Sequence, residues 1–430
     1  MIDSLKSRLF LQMLAIISCG LYFHGSVQAQ TTSTLSLAKC YQLAENNYPL
    51  VRQFALIEKS KEYSISNVSK AVLPQFFISG QATYQSDVTQ IPITFPNMTI
   101  PSMSRDQYKL YGEVSQSITD LLTLRYQKDL INASIAVETH KLEVELYGLK
   151  ERINQIYFGI LLIDAQMAQV EILKKDIRSG INKNQVAIDN GIALKSSADV
   201  LRAEWLKAEQ RSIELKAARK AYTEMLSLFI NQSVDQETIL ERPNPVVQAQ
   251  TINRPELRWF EGQKQALDAQ NRLIDTKVQP RFGLFLQGGY GRPALNMLKN
   301  DPEPYYIGGV RLTWNLSNFY TYKQEKQLLS LNQQTIEVQK ETFLFNTGLV
   351  LKQQDNEIIK LQELLHTDEE IVRLRESIRL SAQNQLEFGV ATTNDYLTYL
   401  HAVDQARQNL MLREMQLLMA QYSLKATSGN

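Results

Sequence analysis

The sequence predicts a mainly α-helical chain whose four short β-strands belong to a membrane β-barrel. Three observations predict it. The chain is duplicated in register, two strand pairs alternate with a period of two, and two proline-free stretches of about seventy residues carry coiled-coil spacing.

The duplication is read from recurring groups. Asn47-Tyr48-Pro49 recurs as Asn253-Arg254-Pro255, an offset of 253 − 47 = 206, and Pro74-Gln75-Phe76 and Tyr84 recur as Pro280-Arg281-Phe282 and Tyr290 at the same offset. Tyr108 and Tyr306, Asp120 and Asn318, and Gly191 and Gly389 are instead 198 apart, so 206 − 198 = 8 residues are missing between Tyr84 and Tyr108 in the second copy. The expected organisation is a signal peptide over 1–29, a first repeat over 30–230, an equatorial segment over 231–253 and a second repeat over 254–430. Each repeat reads as helix, two strands and a long helical hairpin.

The strands come first in the argument. Even positions after Pro74 read Phe76, Ile78, Gly80, Ala82 and Tyr84, against Phe77, Ser79, Gln81 and Thr83. The next run sets Tyr108, Leu110, Gly112 and Val114 against Gln107, Lys109, Glu113 and Ser115. The second copy sets Phe282, Leu284, Leu286 and Tyr290 against Arg281, Gly283, Gln287 and Gly289, then Tyr306, Val310, Leu312 and Trp314 against Gly309, Arg311 and Thr313. Such alternation gives each strand one apolar and one polar face, as a half-buried soluble sheet also would. The aromatics favour lipid. Tyr84, Tyr108, Tyr290 and Tyr306 share one end of the apolar face, and Phe76, Phe282 and Trp314 share the other, forming two aromatic belts around an apolar band. Four strands leave two unpaired edges, which lipid cannot satisfy, so the barrel must close between chains. Two chains would supply eight strands and three would supply twelve, with the polar odd face lining a lumen.

The helices follow. Leu142, Leu146, Leu149, Ile153, Ile156, Ile160, Ile163, Met167, Val170, Ile177 and Ile181 form a near-heptad seam broken by Lys174, inside a proline-free stretch over 121–190. The matching stretch over 319–388 is as long and less regular. Seventy residues at about 1.5 Å each give roughly 105 Å, which suits the wall of a tube. Shorter helices are expected over 197–230, 393–425, 49–72 and 255–278, each long helix being matched by a pair of short ones stacked end to end. The segment 231–253, with Pro243 and Pro245, is expected as a belt where the short helices meet.

Apolar residues make up 44% and charged residues 21%, and no apolar run of about twenty residues is seen beyond the N-terminus. There, Lys6 and Arg8 precede an apolar stretch and Val27-Gln28-Ala29, so cleavage is expected after Ala29. Ile16-Ile17-Ser18-Cys19 also resembles a lipoprotein site, with Cys19 as the lipid-modified residue. Removing Lys6, Arg8 and Asp3 leaves 46 − 2 = 44 basic against 45 − 1 = 44 acidic residues, a balance that gives no support to nucleic-acid binding. Cys40 reads as a small buried residue. The histidines, His24, His140, His366 and His401, are isolated, and no metal spacing, phosphate loop or nucleophile elbow appears. No enzyme activity, cofactor or metal is expected.

Two turns stand out. Gly191-Ile192-Ala193 leads to Ser196 and Asp199, and Gly389-Val390-Ala391 leads to Thr392 and Asp395. Both glycines stop a long helix, and both return helices open as S/T-x-x-D capping boxes with the hydroxyl at the N-cap.

These residues carry a resemblance to the TolC-like outer-membrane efflux proteins over nearly the whole mature length. The matching features are Leu35-Ser36-Leu37-Ala38 to Asn46-Asn47-Tyr48-Pro49, the Leu73-Pro74-Gln75 step, Arg254-Pro255-Glu256-Leu257, Gln279-Pro280-Arg281-Phe282 and the Gly-x-x-(S/T)-x-x-Asp tip. The resemblance implies a homotrimer with a shared 12-stranded barrel in the outer membrane and an α-helical barrel in the periplasm. It implies the passive exit duct of a tripartite efflux pump or type I secretion system, partnered by a periplasmic adaptor and an inner-membrane transporter. It implies adaptor docking around Gly191, Ile192, Gly389 and Val390. It also implies a pore constriction at Asp395, which follows the tip glycine by 395 − 389 = 6 positions, and at Thr398, where the family often carries a second carboxylate. Asp395 reads equally as a plain helix cap. The rival readings are a trimeric adhesive or structural coiled coil with a barrel anchor, and a soluble helical scaffold. The cargo is not legible.

Overall fold

The computed structural model describes residues 34–89, 103–191, 193–235, 237–246, 251–388 and 390–430. The signal segment, Cys19, Ile192 and Gly389 lie outside the described residues.

In chain order the elements are β1 (Thr34–Leu35), α1 (Leu37–Asn47), a 3-10 turn (Pro49–Val51), α2 (Arg52–Ala71), β2 (Gln75–Tyr84), β3 (Asp106–Ser117), α3 (Ile118–Tyr147) and α4 (Leu149–Asp189). They continue as α5 (Lys195–Ile230), β4 (Ile239–Leu240), α6 (Pro255–Lys277), β5 (Arg281–Arg292), β6 (Glu303–Thr313), α7 (Asn318–Glu387) and α8 (Thr393–Ser428). The duplication is visible directly: α2-β2-β3-α3/α4-α5 is repeated as α6-β5-β6-α7-α8.

The four long strands form one antiparallel sheet in the order β2-β3-β5-β6. The register pairs Ala82 with Tyr108, Leu110 with Tyr290 and Gly288 with Tyr306, so every even-numbered strand residue lies on one continuous face. β2 and β6 are left as the two unpaired edges. Their helices lie side by side in the same order, α2-α3-α6-α7. Beyond the equator the neighbours become α5-α4-α8-α7. The protomer is thus a layer four helices wide with open lateral edges, continuous with a four-stranded sheet that is also open at both edges.

The short helices do stack end to end. The Asn47 amide donates to Ile230 O at 3.0 Å where α5 meets the α1–α2 turn, and Asn253 N donates to Ser428 O at 2.6 Å where α8 meets α6. β1 pairs in parallel with β4 at this level, which straps part of the segment after α5 to the residues ahead of α1. Tyr157, fully buried in α4, fixes it through its hydroxyl, which lies 2.8 Å from Leu35 O and 2.6 Å from Glu241 O.

Several boundaries differ from the sequence reading. The first long helix starts at Ile118 and is interrupted at Gly148 rather than running unbroken over 121–190. All the anticipated seam residues are buried except Met167. Lys174, at the break in the seam, keeps its ammonium 3.0 Å from Glu171 and 2.7 Å from Glu209, and over the Trp205 ring at 5.6 Å from its centroid. α5 starts two residues before Ser197. Its N-cap is Leu194, which makes no side-chain cap, so Ser196 lies inside the first turn and the capping-box reading there fails.

The absence of a long apolar run beyond the N-terminus, expected from the sequence, does not hold. The helix Ile118–Asp189 does contain a window long and apolar enough, by composition, to cross a membrane. The contacts explain why. At the equator α4 is covered by α1, α5, α8 and the β4 strap, and Ile153, Tyr157, Phe158 and Ile160 are all buried there. A helix covered on several sides becomes apolar nearly all round.

Candidate pore, membrane band and docking tips

Sheet register decides what the strands can do. On the even face, Phe76, Ile78, Tyr84, Tyr108, Leu110, Leu284, Leu286, Tyr290, Tyr306, Val310 and Leu312 are all exposed. Within the strands the charged residues are Asp106, Lys109, Glu113, Arg281, Arg292, Glu303 and Arg311. Only Asp106 and Arg292 are even-numbered, and they pair with each other at 3.5 Å at the loop end of the sheet. The rest of the even face carries no charge, while Lys109, Glu113, Arg281, Glu303 and Arg311 share the odd face. An apolar exposed band some ten residues long is about 25 Å tall or more, the height of a lipid-facing band.

The aromatics expected as belts lie towards the two ends of this band. Tyr84, Tyr108, Tyr290 and Tyr306 lie towards the hairpin loops, and Phe76 and Phe282 towards the helices. Trp314 sits one residue past the end of β6, and its indole N–H donates to Val278 O at 2.9 Å. The odd face is less uniformly polar than the sequence reading held. Besides Phe77 it carries Tyr111, Phe285, Tyr305 and Ile307, positions that the alternation count passed over.

At the far end of the helices, α8 opens with a complete capping box. Thr392 Oγ1 accepts from Asp395 N at 3.2 Å, and Asp395 Oδ2 accepts from Thr392 N at 3.0 Å and from its hydroxyl at 2.6 Å. These bonds from Thr392 hold the Asp395 carboxyl below its ordinary pKa. Asp395 is exposed, so it is ionised, anchored and open to solvent at once. Thr398, one turn on, donates its hydroxyl to Asn394 O at 2.9 Å and presents no charge.

Gly191 ends the first turn with φ +73, and a Cβ there would meet nothing within 4 Å, so backbone conformation and not crowding calls for glycine. Val390 is 77% exposed, and its N–H and that of Ala391 both close the turn onto Gln385 O. The two tips are tied together. Lys183 bonds Glu387, and the Asn184 amide donates to Thr393 Oγ1 at 3.0 Å. Single-position reading gave no sign of these cross-hairpin links, which join residues more than two hundred positions apart in sequence.

Cys40 is buried beside the equatorial core, and burial pushes its thiol up to about 12. Among the described residues no group of three or more His, Cys, Asp or Glu side chains could hold a metal ion.

No protein-family model and no curated protein matches the sequence. Solved structures do match in three dimensions. VceC, an outer membrane protein of Vibrio cholerae, aligns with a TM-score of 0.64 at 13% identity, covering 92% of this chain and 96% of its own. The outer-membrane channel OprN aligns at 0.66 and 12% identity, covering 91% and 89%. The open state of the MtrE outer membrane channel of Neisseria gonorrhoeae aligns at 0.63 and 13% identity, covering 92% and 89%. Along nearly its whole described length the chain has the TolC-like fold of these outer-membrane channels.

Proposed function

We propose that this protein is the outer-membrane exit duct of a tripartite efflux pump or type I secretion system. In this reading three copies close a 12-stranded barrel in the membrane and an α-barrel in the periplasm. The observation that carries it is the division of charge in the sheet. Five of the seven strand charges lie on one face, the remaining two neutralise each other at one end, and the opposite face is apolar and exposed. A monomeric soluble protein would not leave such a band in water. Lipid would accept the band but not the free edges of β2 and β6. Joining the β6 edge of one copy to the β2 edge of the next removes both, and aligns α7 with α2 and α5 of the neighbour. α7 supports this with exposed Leu331, Val338, Phe345 and Leu374 along its open side.

The duct conducts passively, driven by an inner-membrane transporter reached through a periplasmic adaptor at the Gly191 and Val390 turns. Asp395, repeated three times around the axis, forms the constriction charge. An adhesive coiled coil with a barrel anchor has less support, because here the strand pairs interrupt helical hairpins twice within one chain.

The test is the purified full chain in planar bilayers, with its oligomeric state read by cross-linking. Discrete channel currents from a cross-linkable trimer are expected. A monomer that passes no current would overturn the duct.

A further inference from the structure

The odd face of the sheet carries more than polarity: its charges are unbalanced. Its two carboxylates are both neutralised. Glu113 pairs with Arg311 at 3.1 Å, and Glu303 bonds Lys299 from the β5–β6 loop. The Lys109 and Arg281 side chains have no ion-pair or hydrogen-bond partner among the described residues. The Glu113–Arg311 pair is itself lopsided. The Glu113 side chain is 15% exposed and that of Arg311 54%. The Arg311 guanidinium lies over the Phe285 ring at 4.5 Å, and that ring rests on Gly309, where a Cβ would meet its edge at 3.3 Å. Arg311 is therefore held in place with its charged edge turned to the open side, and its carboxylate partner covered.

We propose that the barrel lumen is an electropositive filter, set by Lys109, Arg281 and Arg311, that favours anionic cargo through the outer-membrane segment. This rests on the exit-duct reading, in which the odd face lines the lumen. The three cations are spread along the barrel. Lys109 pairs in register with Gly291 near the loop end, and Arg281 opens β5 at the helix end, ten residues or roughly 34 Å away. Three copies place them around one narrow water column walled by lipid-embedded strands, where the field of fixed charges is focused. The cargo that suits this wall is a solute bearing a carboxylate, sulfonate or phosphate.

The experiment is the reversal potential of the full-length trimer in planar bilayers under a tenfold potassium chloride gradient, 10 mM against 100 mM. The variants are Lys109→Gln/Arg281→Gln, of which Lys109 is half-buried and Arg281 exposed, and Asp395→Asn as a control for the opposite end. The double variant is expected to lower the chloride-to-potassium permeability ratio at least about twofold, and Asp395→Asn to raise it. The difference between wild type and double variant should vanish at about 1 M salt, where the screening length is about 3 Å. A ratio unchanged by the double variant, or raised by it, overturns the filter while leaving the duct intact. Absence of any channel current would instead overturn the duct reading on which it stands.

Discussion

Lys183, near the end of α4, bonds the Glu387 carboxylate at the last residue of α7, so one helical hairpin tip is fastened to the other. This bond from Lys183 and the attraction of its charge hold the Glu387 carboxyl below its ordinary pKa. Both side chains are well exposed, so the link adds little to global stability and acts as a local tie. If the tips separate when the duct opens, Lys183→Met should raise basal conductance in bilayers, Glu387→Gln should do the same, and the double variant should add nothing further. Because the folded pKa of Glu387 is lowered, the tie is present above the ordinary carboxylate range, about 4.3, and is lost as pH falls through the folded value. Basal current should therefore rise in acid in the wild type, and the rise should be smaller in Lys183→Met. A Lys183→Met channel as quiet as wild type would show that the tie does not hold the tips closed.

The Thr392–Asp395 box separates a structural role from an electrostatic one. Thr392→Ala removes the hydroxyl that accepts from Asp395 N, and it should cost about 0.5–2 kcal/mol of α8 stability without changing the charge of Asp395. Asp395→Ala removes the charge as well, and should raise basal conductance or weaken block by divalent cations. Measuring both on the same bilayer set-up discriminates the roles. Identical conductance and ion preference in Asp395→Ala would leave Asp395 as a helix cap alone.

Much of this architecture is legible in the chain because it rests on local periodicity. The seam from Leu142 to Ile181 and the alternation from Phe76 to Leu312 depend only on spacing, and the duplication supplied each element a second time. What was missed depends on partners distant in sequence. Ser196 and Thr392 both fit the capping pattern, yet only Thr392 caps, because Leu194 takes the N-cap position of α5. The apolar run in α4 looked unexceptional until four elements were seen to cover it. Phe285 and Tyr111 were passed over on a face counted as polar, and the Glu113–Arg311–Phe285 arrangement exists only in the sheet register.

The proposed division of the sheet into lipid and water faces predicts opposite outcomes at adjacent positions. Leu286 is exposed on the apolar face midway along β5, and Gln287 is on the other. Leu286→Arg should cost about 2–4 kcal/mol per copy in a bilayer and sharply reduce the yield of membrane-inserted trimer. Gln287→Arg should insert normally and make the channel more anion-preferring. Membrane fractionation and cross-linking measure the first, and reversal potential the second. Equal insertion of both variants would contradict the lipid assignment of the even face.

Tyr157 offers a test confined to the equator. Its single hydroxyl hydrogen is shared between Leu35 O and Glu241 O, the carbonyls that end β1 and follow β4, and burial raises its pKa so that it stays protonated. Tyr157→Phe keeps the ring in its pocket and removes only the donor. Leu35 O keeps the Glu241 N–H at 3.1 Å, while Glu241 O loses its Tyr157 donor, at a cost of about 1–3 kcal/mol if water cannot reach it. The expected signature is a lowered denaturation midpoint together with faster protease cleavage within 231–246, while single-channel conductance stays as in wild type, because the strap lies far from both the four-stranded sheet and the tips. Unchanged protease resistance would mean that β1–β4 pairing holds the strap without help from Tyr157.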